Sequence, residues 1–307
     1  TAFHSKFNPA LGFVSIGDYV SVSAGTRRTF YGSKGSTIEK FNIGYQHQHN
    51  WNYDPFVKGK KPLDWRSYPT FSFNFKGGWG LNTFIWYESF GFSESSYQNH
   101  YYKDGEQYKP FERRNAIMNL GFMTTLQFPQ LETFSGSIKY GYGKDPNYQE
   151  WAPGLIDLIE MKLFWNPTDQ LRVNFRLNQQ KNTRPDNGGV VSSATVPRLK
   201  VEYQLSKSLF LRFIGQYNSS LRDSLNDSSR DGLPIYFKHL DGTFSRALKQ
   251  ESNNLQADFL FSYRPMPGTL IFVGYGSSLE EPERYSFSRL ERRSDGFFIK
   301  LSYLYRL

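Results

Sequence analysis

The sequence predicts an all-β fold built from antiparallel strands, and three observations support this prediction. Apolar and polar residues alternate with a period of two over 171–178, and the alternation returns over 197–205, 208–218 and 297–307. This pattern is typical of strands that present one apolar and one polar face. No amphipathic helix of useful length competes with it. Aromatic residues make up 18 % of the 307 residues, which excludes a disordered chain.

Thirteen segments carry this strand pattern between clusters of turn-forming residues. Most are about 8 to 15 residues long, which suits a tilted membrane-crossing strand, since such a strand needs roughly 9 to 11 residues. The predicted strands cover 18–31, 37–51, 69–76, 81–92, 115–128, 133–143, 156–165, 170–178, 197–205, 208–218, 254–263, 269–278 and 297–307.

The connections between these strands alternate in length along the chain. Short turns at one end of an up-and-down meander and long polar loops at the other are typical of outer-membrane barrels. The predicted fold class is therefore a transmembrane antiparallel up-and-down β-barrel in the bacterial outer membrane, with about 13 strands visible and 14 or more in the intact protein. The short turns are 32–36, 77–80, 129–132, 166–169, 206–207 and 264–268, and the long loops are 52–68, 93–114, 144–155, 179–196, 219–253 and 279–296.

Aromatic side chains at the strand ends are consistent with a membrane setting. Tyr and Trp favour the headgroup level of a bilayer, so rings at both ends of an apolar face form two girdles. The expected partners are then the lipid bilayer and lipopolysaccharide. The predicted girdle residues are Phe128, Trp165, Tyr263 and Tyr305 near the short turns, and Trp51, Tyr53, Tyr142 and Tyr217 near the long loops.

The final strand resembles the C-terminal signal that the bacterial barrel-insertion machinery reads. Aromatic residues alternate there, and the signal is predicted to include Tyr303, Tyr305 and Leu307. A soluble β-propeller or a β-sandwich is the alternative fold. A propeller would show a repeat of roughly 40 to 50 residues, and the sequence shows none.

The strand order also bears on domain organisation. We interpret 1–307 as a single barrel domain and 1–17 as an inter-strand segment that follows a missing upstream strand. Single-chain barrels generally have an even number of strands and both termini in the periplasm. The sequence therefore predicts the C-terminal part of a longer chain. The missing strands could come from the same polypeptide or from a partner chain.

Four segments resemble one family. They are 7–14 (FNPALGFV), 263–269 (YRPMPGT), 274–279 (GYGSSL) and 294–307 (SDGFFIKLSYLYRL). They resemble an outer-membrane β-barrel family of unknown function that lies C-terminal to family-9-like carbohydrate-binding domains in Bacteroidota and related bacteria. The resemblance implies a barrel with further strands and a β-sandwich upstream of Thr1. It implies no catalytic residues.

Candidate metal and catalytic residues are few. There is no cysteine, which excludes thiolate chemistry and disulfides. His47 and His49 have a spacing that can chelate a metal, but their parity places them with the outer girdle. The aspartates of 223–231 do not match a calcium loop. We therefore expect no metal site, no cofactor and no enzymatic activity. A barrel hydrolase, the least favoured alternative, would need His239 or another loop histidine beside a Ser or carboxylate.

The polar strand faces carry most of the remaining information. The formal net charge is +9, but the basic residues form no nucleic-acid motif, so we expect no nucleic-acid partner. Rings of Lys and Arg favour anions in a water-filled pore. One hypothesis is a channel or a solute or glycan uptake barrel with a basic lumen, and acidic solutes or an acidic plug would suit it. The predicted basic lining is Lys139, Lys162, Arg172, Arg176, Arg198, Lys200, Arg212 and Lys300.

Two alternatives stay open at this point. The basic residues could simply brace a polar wall by pairing with carboxylates and backbone carbonyls. The protein could also be a structural or scaffold subunit of a larger outer-membrane assembly, which uses its aromatic wall and long loops to contact other outer-membrane proteins.

Overall fold

The computed structural model describes residues 1–4, 6, 17–92, 94–112, 116–228 and 231–304. Within these residues the chain is almost entirely extended, and strands are the only long elements. The strands are β1 (Ala2–Phe3), β2 (Tyr19–Tyr31), β3 (Ile38–Trp51), β4 (Asp64–Phe75), β5 (Trp79–Phe90), β6 (His100–Asp104), β7 (Gln107–Pro110), β8 (Ile117–Gln127), β9 (Phe134–Asn147), β10 (Ala152–Trp165), β11 (Leu171–Thr183), β12 (Val190–Ser206), β13 (Leu209–Arg222), β14 (Ile235–Lys238), β15 (Phe244–Arg246), β16 (Gln250–Tyr263), β17 (Thr269–Glu280) and β18 (Glu291–Tyr303).

Fourteen of these strands form one antiparallel sheet. Its order is β1-β2-β3-β4-β5-β8-β9-β10-β11-β12-β13-β16-β17-β18, so each strand pairs with the next one along the chain that belongs to the sheet. The predicted fold class, an all-β antiparallel up-and-down sheet of the barrel type, is confirmed. Every one of the thirteen predicted strands is present in this sheet.

Several strands extend further toward the long loops than the sequence predicts. β9 continues through Pro146 to Asn147, and β10 begins at Ala152. The prediction of a long loop at 144–155 is therefore wrong, because a turn of only four residues joins these strands. The predicted loop 179–196 is likewise mostly strand, since β11 and β12 pair as far as Thr183 and Val190. Cross-strand hydrogen bonding stabilises these polar segments although their composition is typical of turns.

The pairing register separates the polar side chains from the apolar ones across the whole sheet. On β10 and β11, for example, Lys162 lies opposite Arg176, and the neighbouring pair Leu163 and Phe175 lies on the other face. Side chains alternate between faces along each strand, so one register fixes both faces. The result is one predominantly polar face and one apolar, aromatic face.

The two edges of the sheet are β1 and β18. β1 has only two residues, which pair with Val20 and Tyr19, so part of the predicted connection 1–17 is a strand. β18 pairs with β17 alone, and all of its residues are exposed. No pairing between described residues joins β1 to β18.

A second, four-stranded sheet lies at the long-loop end and was not predicted. Its order is β15-β14-β6-β7, which joins the loop after β5 to the loop after β13. We call these four strands and their flanking loops the cap. The cap has its own core, which includes Phe90 of the barrel sheet. Phe90 lies on the polar face of the fourteen-stranded sheet, as Glu88 does. The cap is therefore attached to the polar side of this sheet, which we call the wall.

Among the residues that the structure describes, helical structure is limited to α1 (Tyr53–Val57) and a short 3-10 turn at Glu94–Ser96. No helix in the described part of the chain is long and apolar enough to cross a membrane. Tyr53 was predicted at a strand end, and the structure places it instead in α1. A Pro at 55 and a polar flank suit the first turn of a short helix.

Candidate functional site

The eight predicted basic residues lie on the polar face of the sheet. Cross-strand pairs connect Lys162 to Arg176 and Arg176 to Arg198, which makes one row across three strands. We call the eight residues the basic band, since most lie in the half of their strand nearest the short turns. The band consists of Lys139, Lys162, Arg172, Arg176, Arg198, Lys200, Arg212 and Lys300.

Only part of the basic band is neutralised by carboxylates. The Lys139 Nζ lies 2.8 Å from a Glu160 oxygen, and the Lys200 Nζ lies 2.9 Å from a Glu202 oxygen. The other six have no carboxylate within ion-pair distance among the described residues; they are Lys162, Arg172, Arg176, Arg198, Arg212 and Lys300. The band therefore retains a net positive charge among the described residues.

A pocket of about 230 Å³ opens on the same polar face, between mid-strand and the long-loop end. Its lining runs across five neighbouring strands, from β4 to β10. Within it Phe84 pairs with Met123, Met123 with Gly141, and Gly141 with Leu158. We call it the aromatic pocket. Its aromatic lining residues are Tyr68, Phe84, Trp86 and Tyr148.

Glycine makes room for one of these rings. Trp86 lies flat over Gly121, and a Cβ on Gly121 would overlap the indole ring. The Trp86 Nε1–H donates a hydrogen bond of 2.8 Å to the Lys144 carbonyl, which fixes the ring against the wall. This hydrogen bond satisfies the buried indole N–H of Trp86, so the ring forms a rigid side of the aromatic pocket.

A cluster of charged and amide side chains borders the pocket at the long-loop end. The Arg66 Nε lies 3.5 Å from an Asp64 oxygen and 3.6 Å from a Glu88 oxygen. Asn119 donates a 3.1 Å hydrogen bond from Nδ2 to Glu88, and Asn50 donates one to Asp64. We call Asp64, Arg66, Glu88 and Asn119 the mouth cluster. Both carboxylates and the amide are almost fully buried.

Two atoms of the mouth cluster lack hydrogen-bond partners. The buried Oδ1 of Asn119 accepts no hydrogen bond, and the Arg66 Nε donates none. Asn119 is only 1 % exposed. Buried polar atoms are rarely left unpaired, and neither of these two atoms has appreciable accessible surface.

Asp145 and Tyr148 complete the lining at the mouth. Within the described residues, no ion pair or side-chain hydrogen bond neutralises Asp145. Tyr148 lies in the β9–β10 turn, where its ring contacts Phe90 at 5.5 Å. Burial, and then the nearby Asp145 charge, raise the pKa of Tyr148 to about 12. This hydroxyl therefore keeps its proton at any physiological pH.

A second cavity, of about 540 Å³, adjoins the first and continues it along the wall. It is more polar, and Arg27 and Gln46 contribute to its lining. Tyr68 and Phe84 line both cavities. Their ring centroids are 5.0 Å apart, so one aromatic pair divides the two spaces.

The cap above the pocket is anchored by a buried ion pair. Glu150 is 0 % exposed and receives hydrogen bonds of 3.2 and 3.0 Å from the Arg184 Nε. The Arg184 Nη1 also contacts Asp223 at 2.9 Å, and the Asn226 backbone N–H donates to Glu150 at 2.8 Å. Three separate loops thus meet at one carboxylate, which ties the cap to the wall.

Histidines on the apolar face form a hydrogen-bonded chain with Ser67. The His47 Nδ1 lies 2.7 Å from the Ser67 Oγ, and the His47 Nε2 lies 2.7 Å from the His49 Nε2. His239 in the cap similarly contacts Ser245 at 2.6 Å. No group of three His, Asp or Glu side chains in the described part of the chain could hold a metal ion.

The predicted girdle residues occupy varied environments. Trp51, Tyr142, Trp165 and Tyr263 lie on the apolar face, and Phe128 lies in the turn after β8, 5.6 Å from the Trp79 ring. Tyr217 is on the same face but is covered by Tyr285 and Phe287, and it donates a hydrogen bond to Glu281. Of the predicted insertion signal, Tyr303 ends β18, while Tyr305 and Leu307 lie outside the described residues, as does 7–14.

The mouth cluster and the aromatic pocket were missed by sequence reasoning. One signal could have revealed them, because Tyr68, Phe84 and Trp86 have the parity of the polar face. Aromatic rings on a water-facing strand surface are unusual for a purely polar interior. The buried pair of Glu150 and Arg184 had no comparable signal, since both lie in polar loops.

No protein-family model matches the chain, and no curated protein matches it. Matches among solved structures include the NanC porin, with 10 % identity over 79 % of this chain and 94 % of that chain and a TM-score of 0.29. They also include OmpT, an outer membrane protein of Vibrio cholerae, with 8 % identity over 93 % of this chain and 96 % of that chain and a TM-score of 0.32. The functional conclusion therefore rests on the geometry of this chain.

Proposed function

We propose that this chain forms the wall of a bacterial outer-membrane barrel that conducts small solutes through a lumen with a basic band. The sheet's division into one predominantly polar face and one apolar, aromatic face carries this proposal. In a membrane, the apolar aromatic face contacts lipid and the polar face must enclose water. The resemblance to a family-9-associated barrel of Bacteroidota agrees with this location.

The basic band supports selectivity for anions. Six of its eight side chains have no carboxylate partner within the described residues. Unpaired cations that line a water-filled pore attract anions and repel cations. The cap lies on the polar side at the long-loop end, so in a closed barrel it would narrow the entrance.

Conductance of the purified full-length protein in planar lipid bilayers tests this proposal. We expect stepwise conductance, with a reversal potential in a KCl gradient that shows a preference for chloride. Stable insertion without any conductance would contradict a conduit.

A second candidate function is that of a structural subunit in a larger assembly. The exposed edge strand β18 favours it, because such an edge can pair with a further strand. Strands from upstream in the same polypeptide or from a partner would then complete the wall.

The mass of the native protein, extracted in mild detergent, distinguishes strands of the same polypeptide from strands of a partner chain. A complex that holds a second polypeptide crosslinked to β18 would support the subunit function. A single polypeptide that conducts would support the conduit alone.

A further inference from the structure

We propose that the aromatic pocket and its adjoining cavity bind a neutral oligosaccharide, with one pyranose ring on each side of the pair formed by Tyr68 and Phe84. This inference rests on the proposed conduit, because it treats the polar face as the path of the solute. It assigns a ligand class to the aromatic pocket and its adjoining cavity, which lie outside the basic band.

The size of the pocket limits the ligand. Sites for drug-sized ligands have volumes of roughly 300–1,000 Å³, and the aromatic pocket has about 230 Å³. It therefore suits a single small ring. The adjoining cavity of about 540 Å³ has space for further rings of the same chain.

The polar groups of the pocket lining need a ligand that both donates and accepts hydrogen bonds. Glu88 supplies acceptors there, while the Arg66 guanidinium and the Tyr148 hydroxyl supply donors. Asp145 provides a further acceptor in the lining. Sugar hydroxyls donate and accept equally well, whereas an amine only donates and a phosphate mainly accepts.

The rings determine how a sugar would lie. A pyranose has a flat face of C–H groups that packs on aromatic rings while its hydroxyls point outward at the edge. Tyr68 and Phe84 are only partly buried and face both cavities. Trp86 is held rigid by Gly121 and the Lys144 carbonyl. Rigid rings lower the entropy lost on binding, so the Trp86 ring is pre-organised to pack against a sugar.

The excess of negative charge around the aromatic pocket excludes acidic sugars from this part of the proposed solute path. Asp64 and Glu88 outnumber Arg66, and Asp145 adds a further carboxylate beside them. A neutral glycan meets no repulsion here.

Isothermal titration of the full-length protein in detergent, with maltohexaose, xylohexaose and cellohexaose as probes, tests the inference. We expect at least one of them to bind, and expect Tyr68→Ala and Phe84→Ala each to weaken that binding by tenfold or more. Asp145→Asn tests the polar contact and should weaken it less. Phe73→Ala is the matched control, because Phe73 lies on the apolar face and stacks on Phe41.

Several results would overturn the inference. They are the absence of binding to all three probes, an equal effect of Phe73→Ala, or binding of spermidine in place of sugar that depends on Tyr68. Bilayer conductance of the same preparations separates the two proposals. A protein that conducts but binds no sugar retains the conduit and loses the glycan site, and one that binds sugar without conducting does the reverse.

Discussion

The mouth cluster and the basic band lie on the same polar face, but their charges are held in opposite ways. In the mouth cluster, Arg66 lies between two buried carboxylates, and each carboxylate also receives an amide hydrogen bond. In the basic band, Arg172 and Arg176 are exposed and have no carboxylate partner among the described residues.

This difference determines what each region can do. Buried, mutually paired charges are fixed in position, and they recognise a ligand through geometry. Exposed cations keep their hydration and act through a field that salt screens over about 10 Å at 0.1 M. The mouth should therefore select by shape, and the band should select by charge.

The largest expected effect concerns the anchor of the cap. Arg184→Met leaves the fully buried Glu150 without its cation, and breaking a buried pair costs about 3–5 kcal/mol. We expect faster hydrogen exchange at the amides of 223–228 and 235–238. Lys109→Met is the control within the cap, because its pair with Asp104 is exposed and screened by solvent. Equal exchange in the two variants would show that the pair of Arg184 and Glu150 does not anchor the cap.

The next largest effect concerns the wall of the aromatic pocket. Gly121→Ala forces the Trp86 ring away from the sheet, and such overpacking costs about 1–3 kcal/mol. We expect a lower urea midpoint of unfolding and a red-shifted tryptophan emission. Gly296→Ala is the matched control, since a Cβ there meets nothing within 4 Å. An unchanged emission from the Gly121 variant would show that the pocket is not rigid.

Charge reversal in the basic band should change selectivity with little effect on stability. Each pair of charges at 4 Å in water interacts by only about 1 kcal/mol, so the double variant Arg172→Glu, Arg176→Glu should fold normally. Its reversal potential should move toward cation preference. The charge-preserving double variant with Lys at both positions should keep the original preference. If both double variants behave alike, the band does not set selectivity.

The smallest effect concerns acidification of the cap. Burial against Trp151 and Phe237 lowers the pKa of His100, outweighing a backbone hydrogen bond that raises it. The neutral form of His100 is thus favoured in the folded cap. The stability that this gives the cap is present above the ordinary histidine pKa of about 6.5 and is lost as pH falls below it.

Protease cleavage within the cap should therefore accelerate between about pH 7.5 and 5.5. His100→Gln should abolish this acceleration. His239→Gln, at an exposed histidine, should leave it intact. A pH dependence that survives in the His100 variant would assign it to another group.

The sequence predicts the barrel sheet well because local periodicity determines it. The alternation over 171–178 reports which face of β11 is apolar, and each neighbouring strand repeats that information. The short turns were equally visible in the sequence, for example at 166–169 between β10 and β11.

The cap and the mouth depend on contacts that no local pattern records. β14 pairs with β6 although more than 130 residues separate Ile235 from Tyr102. Strands of three to five residues are too short for periodicity to be recognised. The only local trace of the cap is the presence of apolar residues such as Phe111, Trp151 and Ile235 in segments that otherwise have the composition of loops.

The measurement that tests the central claim most directly is the environment of alternate residues along β11 in a lipid bilayer. The chain has no cysteine, so single cysteines at Val173, Asn174, Leu177 and Asn178 can each carry one nitroxide label. Collision with oxygen reports lipid, and collision with a water-soluble nickel complex reports water. The labels at 173 and 177 should contact lipid, and those at 174 and 178 should contact water. Water contact at all four positions would contradict a membrane-spanning wall.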